Sequence, residues 1–569
     1  LKSKKLLSLV LGATLMVSTA LVGCGENNKN PDDKKKDPPK VIKMDKEQYL
    51  NLNLGIEPKS LDVARSNDYY GAQIFTEVYE GLTRVEQDEN GKDVIKAAGA
   101  EKWEHNEEGT VWTFHLRDYN WSDGKKVTAK DFVYSILRTL DPKTASNYAF
   151  LLSPIKGAEE YNAGKGPKDA VGVKAVDDKT LEFTLKQPCP YFLDLTYFKL
   201  FLPQREDVVS KHGEKYGTEA STLEVYCGPF VLKDWKHQQE IVLEKNDKYW
   251  DKDNVKLEKV NFKIIKEANA AYGSLLNGTL DSGGVTKPEW IKKFEQKKDK
   301  MDNIKGYRPS TGYLFFNQKD KLFSNANVRK AFSIAYTRDD YANVITYGVN
   351  APAYGWCPPS VQLNGKDFRE TVGEEPIKKM IEDNKDPKEL LIKGLKELGM
   401  DPDPSKVTVT ILHGNTDAET KKAAEYEQEM YKKALGVNIK AEYMTFEILQ
   451  KRTDEMDYQV AGMAWIGDYN DPNTFYDMWM TGAGIVPTGW SNKQYDELLK
   501  KAMSSVDEKE RVEAYKEAEK ILLVDDAVIA PTTYSRKNTY RYKYVKNIMT
   551  PLFGSGYELK YTYTDGRGK

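Results

Sequence analysis

Residues able to make and break bonds are sparse along this chain. Its four cysteines, Cys24, Cys189, Cys227 and Cys357, include no C-x-x-C pair of the kind that holds zinc or cycles through a disulfide. Its five histidines, His105, His115, His212, His237 and His413, form no H-E-x-x-H and no i, i+4 pair, so they read as surface or core residues rather than metal ligands. Neither the nucleophile-elbow pattern G-x-S-x-G nor the phosphate-binding pattern G-x-x-x-x-G-K-[ST] occurs. The expectation is no catalytic residue, no metal and no cofactor. What remains is carboxylate chemistry. In Asp468-Tyr469-Asn470-Asp471-Pro472 the second aspartate stands ahead of a proline and suits a helix cap, while Asp468 either serves the same turn or is free to meet a cation.

The elements that must position these residues are legible as periodicities. Alternating runs at 48–54, 110–117, 180–186, 259–265 and 406–412 have the period of two expected of strands. Segments 128–140, 327–336, 386–400, 418–436 and 509–524 have helical period, and in the first of them Thr128 and Asp131 have capping-box spacing. The order helix 418–436, strand 437–444, helix 446–454, strand 458–465 predicts crossover units in a mostly parallel sheet, which makes the chain an α/β protein.

A length of 569 residues allows about three or four domains of roughly 150 residues each. With 85 Lys and Arg against 87 Asp and Glu, the formal charge of −2 offers no field to recruit a polyanion, so nucleic acid is not an expected partner.

At the N-terminus, Lys2, Lys4 and Lys5 precede a stretch from Leu6 to Gly23 with no charge, which reads as an export signal over residues 1–23. A membrane anchor is the other reading of those residues. The sequence Leu21-Val22-Gly23-Cys24 resembles the lipobox of bacterial lipoproteins, and cleavage before Cys24 would leave a lipidated cysteine. Residues 25–40 contain no aromatic or branched apolar side chain and, with Cys24, read as a flexible tether (24–40) with a reach of about 20 to 25 Å. The expected location is the outer face of a bacterial cytoplasmic membrane.

Five strings carry a resemblance that covers most of the chain: residues 111–146 (VWTFHLRDYNWSDGKKVTAKDFVYSILRTLDPKTAS), 172–192 (GVKAVDDKTLEFTLKQPCPYF), 227–235 (CGPFVLKDW), 243–250 (LEKNDKYW) and 464–472 (AWIGDYNDP). They are similar to peptide-type solute-binding components of ABC importers, family 5, in its oligopeptide-binding branch. The resemblance implies a two-lobed periplasmic-binding-protein-like fold of cluster C type with a small insert domain. Lobe I would comprise 41–79, 206–308 and 541–569, the insert 80–205, and lobe II 309–540. It also implies a monomer that encloses an oligopeptide between its lobes and delivers it to a membrane permease.

By the same resemblance Asp468 pairs with the ligand's α-ammonium. Ala464 and Ile466 offer backbone groups to an extended peptide. Trp465 supplies a flat face for stacking, or belongs to the core, and Tyr148 hydrogen-bonds the ligand backbone, or packs in its own lobe. Some peptide binders carry an arginine six residues before the aspartate, where this chain has Gly462, so recognition of the ligand carboxylate is left open. Cys189 and Cys227 lie in matched strings and form a candidate disulfide, with free thiols as the alternative. Two other functions stay open: an oligosaccharide or metal chelate on the same scaffold, and a surface glycosidase.

Overall fold

The period-two runs become strands where they were expected, at Tyr49–Asn53, Val111–Leu116, Thr180–Thr184, Lys259–Lys263 and Thr408–His413. The computed structural model describes residues 43–66, 68–554 and 556–568. Cys24, the export signal and the whole tether lie outside the described residues. Residues 44–569 form one compact unit.

Helix Ala129–Leu140 shows how locally the sequence acts. The Thr128 N–H donates to the Asp131 carboxylate at 2.8 Å, which closes one end of a capping box. Phe132, Ile136 and Leu140 recur on one buried stripe, and the helix stops before Asp141-Pro142, where the α conformation is disfavoured. Helix Ala418–Leu435 begins with Asp417 accepting from the Thr420 N–H at 2.8 Å, and ends at Gly436, whose φ of +79° terminates it.

The main sheet has 11 strands and is mixed, which corrects the expectation of a mostly parallel one. Strand Thr408–His413 is parallel to both Asn438–Tyr443 and Val460–Ile466, as the crossover reading required. Next to them, however, run two long strands, Met301–Phe316 and Ile529–Tyr542, each antiparallel to its neighbours. This central ribbon links the strands of the C-terminal half to Ser282–Gly284, Tyr49–Asn53 and Lys259–Lys263 in the other half. A separate four-stranded antiparallel sheet, with Ala100–His105 and Val111–Leu116 at its start, lies within residues 100–184.

Alternation along the ribbon feeds two cores. Leu314, Phe316 and Val460 face the helix Ala418–Leu435 side, while Tyr313, Phe315 and Ala461 face a second core with Trp356, Tyr476 and Tyr515. A third core joins Leu50, Leu52 and Val260 to Trp112, Phe114 and Phe183, so the small sheet shares its interior with the N-terminal strands.

Candidate functional site

Strand Val460–Ile466 is the positioning element. On one side it pairs with Ser310–Phe316 through its full length, Ile466 opposite Ser310. On the other its ladder ends where His413 meets Gly462. Beyond that point Met463 to Ile466 have no strand beside them on that edge, among the described residues. The Gly467 N–H donates to the Pro309 carbonyl at 2.8 Å, so by antiparallel alternation the backbone groups of Ala464 and Ile466 point to the open edge. Both residues are exposed, Ile466 by 65%. An extended chain could add here as a strand without displacing anything.

Just past the strand, the Asp468 N–H donates to Thr474 Oγ1 at 3.0 Å, which fixes the turn. Among the described residues its carboxylate accepts no hydrogen bond. The side chain keeps some solvent contact, yet its recess is dry enough that burial pushes the carboxyl up to about 7, with Lys199 pulling the other way. Asp471 has a different fate. It accepts from the Asn473 N–H at 2.9 Å and pairs with the fully buried Arg511 at 2.7 Å, so its charge is consumed by the fold.

Tyr148 comes from the small-sheet region and reaches the same place. Burial raises its phenol, and the charges of Asp468 and Asp68 add to that rise. Its ring stacks on Phe150 and meets Phe198 at 5.7 Å. Lys199 lies under it, with Nζ 4.6 Å from the ring centroid and bonded to the Ser66 carbonyl. Burial lowers the Lys199 ammonium to about 8, while Asp68 and Asp468 oppose that fall. Sequence reasoning missed Lys199. Its signal was a lone cation inside the apolar run Tyr197-Phe198-Lys199-Leu200-Phe201-Leu202, where a charge survives only with partners.

Trp465 is held by its own half: its indole N–H donates to the Thr474 carbonyl at 2.7 Å, and the half-buried ring packs on the Trp356 core. Gly462 opposes His413, and a side chain at Gly462 would meet Leu314 at 3.3 Å. Of the two readings left open for Cys189 and Cys227, the structure has the free thiols and not the disulfide. Both thiols are free and buried in different surroundings: Cys227 accepts from the Glu80 N–H at 3.3 Å, whereas Cys189 lies near Tyr191 and Asp471. Burial raises both thiols, so neither is a nucleophile at neutral pH. Among the described residues no cluster of His, Cys, Asp and Glu could hold a metal, and no helix is long and apolar enough to cross a membrane.

The sequence profile of bacterial extracellular solute-binding proteins, family 5, matches residues 94–486. The oligopeptide-binding protein OppA of Bacillus subtilis is 34% identical over 98% of this chain and 98% of its own length. The dipeptide-binding protein DppE of the same organism is 35% identical over 95% of this chain and 96% of its own. Among solved structures, the substrate-binding domain of an oligopeptide ABC transporter from Bacillus anthracis superposes with a TM-score of 0.76 at 34% identity, covering 92% of this chain and all of that one.

Proposed function

This chain belongs to the bacterial extracellular solute-binding proteins of family 5, substrate receptors rather than enzymes with a two-lobed fold, and on that premise we propose that it captures oligopeptides. The observation that carries this reading is the pairing of an open strand edge at Ala464 and Ile466 with an unsatisfied carboxylate at Asp468 directly after it. Every peptide shares a backbone and an α-ammonium, and these two features answer them in that order along a chain. Main-chain pairing gives affinity without reading side chains. The ammonium, which would be costly to bury alone, finds its counter-charge at Asp468. Tyr148 closes the site from the facing side, and Trp465 offers the ligand whatever ring face its own packing leaves.

In this reading lobe II spans 309–540, lobe I spans 41–79, 206–308 and 541–569, and the insert spans 80–205. The two long strands of the central ribbon support it, being the segments through which such lobes would rotate. Cys24 carries the lipid anchor after cleavage, the following residues tether a monomeric body to the outer face of the membrane, and the closed form passes its cargo to a permease. The ligand must favour the closed form for that closure to follow binding.

The test is a thermal-shift titration of the lipid-free body with a mixed pool of short peptides, run beside the same pool N-acetylated. Stabilisation by the free-amine pool alone supports the reading. No shift from either pool overturns it in favour of another solute.

A further inference from the structure

We propose that the site has a second pole: a cationic face formed by Arg308, Lys537 and Arg541 on the central ribbon, which takes a carboxylate of the bound peptide and makes carboxylate-bearing peptides the preferred ligands. This rests on the peptide reading above and adds to it the charge of the cargo.

Register builds the face. Asp302 pairs with Arg541, Ile304 with Thr539 and Gly306 with Lys537. Cross-strand partners share a face and so do alternate residues along a strand, which puts Lys537 and Arg541 on one side of the ribbon with Asp302 opposite Arg541, while Arg308 follows just past the last regular pair, Tyr307 with Arg536, close enough for its charge to act on Lys537. Gly306 makes room: a side chain there would come within 3.1 Å of Lys537 Cε, so the lysine stem lies over the glycine. The three charges feel one another, since Arg308 and Arg541 both push the Lys537 ammonium down, after burial and against Asp93.

None of the three forms an ion pair among the described residues. Lys537 donates to the Thr550 carbonyl and hydroxyl, both at 3.1 Å, and Arg541 donates to the Ile548 carbonyl at 3.1 Å. Two acids stand near them: Asp302, exposed and opposite Arg541 in the ladder, and Asp93, which acts on Lys537 and is engaged by the Leu552 N–H at 2.6 Å and the Gln87 amide at 3.2 Å. Lys537 and Arg541 are half-buried and Arg308 is exposed. Three cations against two acids, with the hydrogen bonds of Lys537 and Arg541 going to neutral oxygens, leave a net positive face that an anion would relieve, and a guanidinium is shaped to hold a carboxylate by two parallel bonds.

The face adjoins the ammonium site. Arg308 precedes Pro309, whose carbonyl holds Gly467, and Asp468 follows Gly467. Arg308 also acts on the phenol of Tyr69, the neighbour of Asp68, and Asp68 in turn acts on Lys199 and Tyr148. The charge that reaches Asp468 is that of Lys199. The two poles therefore remain distinct, one anionic and one cationic, and both are available to a zwitterion. The missing arginine at Gly462 is thereby answered from another strand.

The carboxylate has two sources, a short peptide's C-terminus or an acidic side chain near its N-terminus. Calorimetric titration of the full chain with three free-amine peptides separates them: Ala-Gln-Ala amide without a carboxylate, Ala-Glu-Ala amide with one on the side chain, and Ala-Gln-Ala with one at the C-terminus. At least one carboxylate peptide is expected to bind about tenfold or more tightly than the neutral amide, as a charge-assisted bond would give. That preference should fall below about twofold in Arg308→Gln and in Lys537→Gln, each checked for native melting, because the interaction it reports is removed. Equal binding of all three peptides, or a preference that survives both substitutions, overturns this inference alone. Failure of every peptide to bind overturns the peptide reading and this inference together.

Discussion

Asp468 is a carboxylate that the free protein holds at a disadvantage. Burial raises it to about 7, so below that pH it keeps its proton and offers no charge to an ammonium. Affinity for free-amine peptides should therefore fall as pH drops below 7, approaching about tenfold per unit, while above about 8 the ligand's own ammonium begins to neutralise. Titrations between pH 5 and 9 check this, and a flat profile on the acid side would count against the assignment. Asp468→Asn should abolish the preference for free over acetylated amines. In the free protein the same substitution should be stabilising at pH 8. The folded carboxyl binds its proton more tightly than the unfolded one, so its contribution is most favourable in acid and is lost as pH rises through about 7. Melting temperature at pH 8 should rise, and a fall would contradict the burial argument. Lys199→Met removes the cation that, among the described residues, eases the ionisation of Asp468, so the acid-side midpoint of the affinity profile should move above 7.

At the scale of elements, the site depends on a strand that outruns its neighbour. Thr408–His413 stops at Gly462, and the next four residues keep one edge open. Ala464→Pro deletes a backbone donor that faces this edge and takes no part in the ladder with Ser310–Phe316, so the fold should survive while peptide affinity falls by about tenfold, one hydrogen bond's worth. Circular dichroism and titration on the same sample separate the two effects. The turn behind the strand is held by Asp471 and Arg511, a pair with almost no exposure. Asp471→Asn would leave a guanidinium buried without its counter-charge and should cost about 3 to 5 kcal/mol, read as a fall in the denaturant midpoint. Because the same turn carries Asp468, peptide binding should weaken as well.

At the scale of the molecule, closure and capture are one equilibrium. A peptide at about 100 times its dissociation constant should add roughly 2.7 kcal/mol of stability, and the radius of gyration from small-angle scattering should decrease with the same dose dependence. Stabilisation without contraction would place the ligand in a molecule that does not close. The central ribbon, with strands of 16 and 14 residues paired along most of their length, is the continuous connection on which that motion would turn.

The sequence by itself determined the local elements and the family. Strand alternation and helix caps act within a few residues, so most expected strands and helices appear within a residue or two of their bounds, Thr128 and Asp131 included, although the helix expected over 386–400 ends at Glu397 and the one over 509–524 gives way to a π-helical turn after Lys520. The resemblance carried by the string from Ala464 to Pro472 also pointed to Asp468 and its two backbone neighbours as candidates, since they lie within one short stretch of sequence. What it did not determine is whatever depends on which distant segments meet. The antiparallel ribbon was illegible because strand order is set by packing between residues more than 200 apart in the chain, as in Tyr313 with Pro531. The cysteine pair was unresolved because only tertiary placement decides whether two thiols come within bonding reach. Lys199 and the face of Arg308, Lys537 and Arg541 belong to the same class. A lone lysine or arginine carries no pattern, and its environment, hence its charge and its use, exists only once the chain has closed around it.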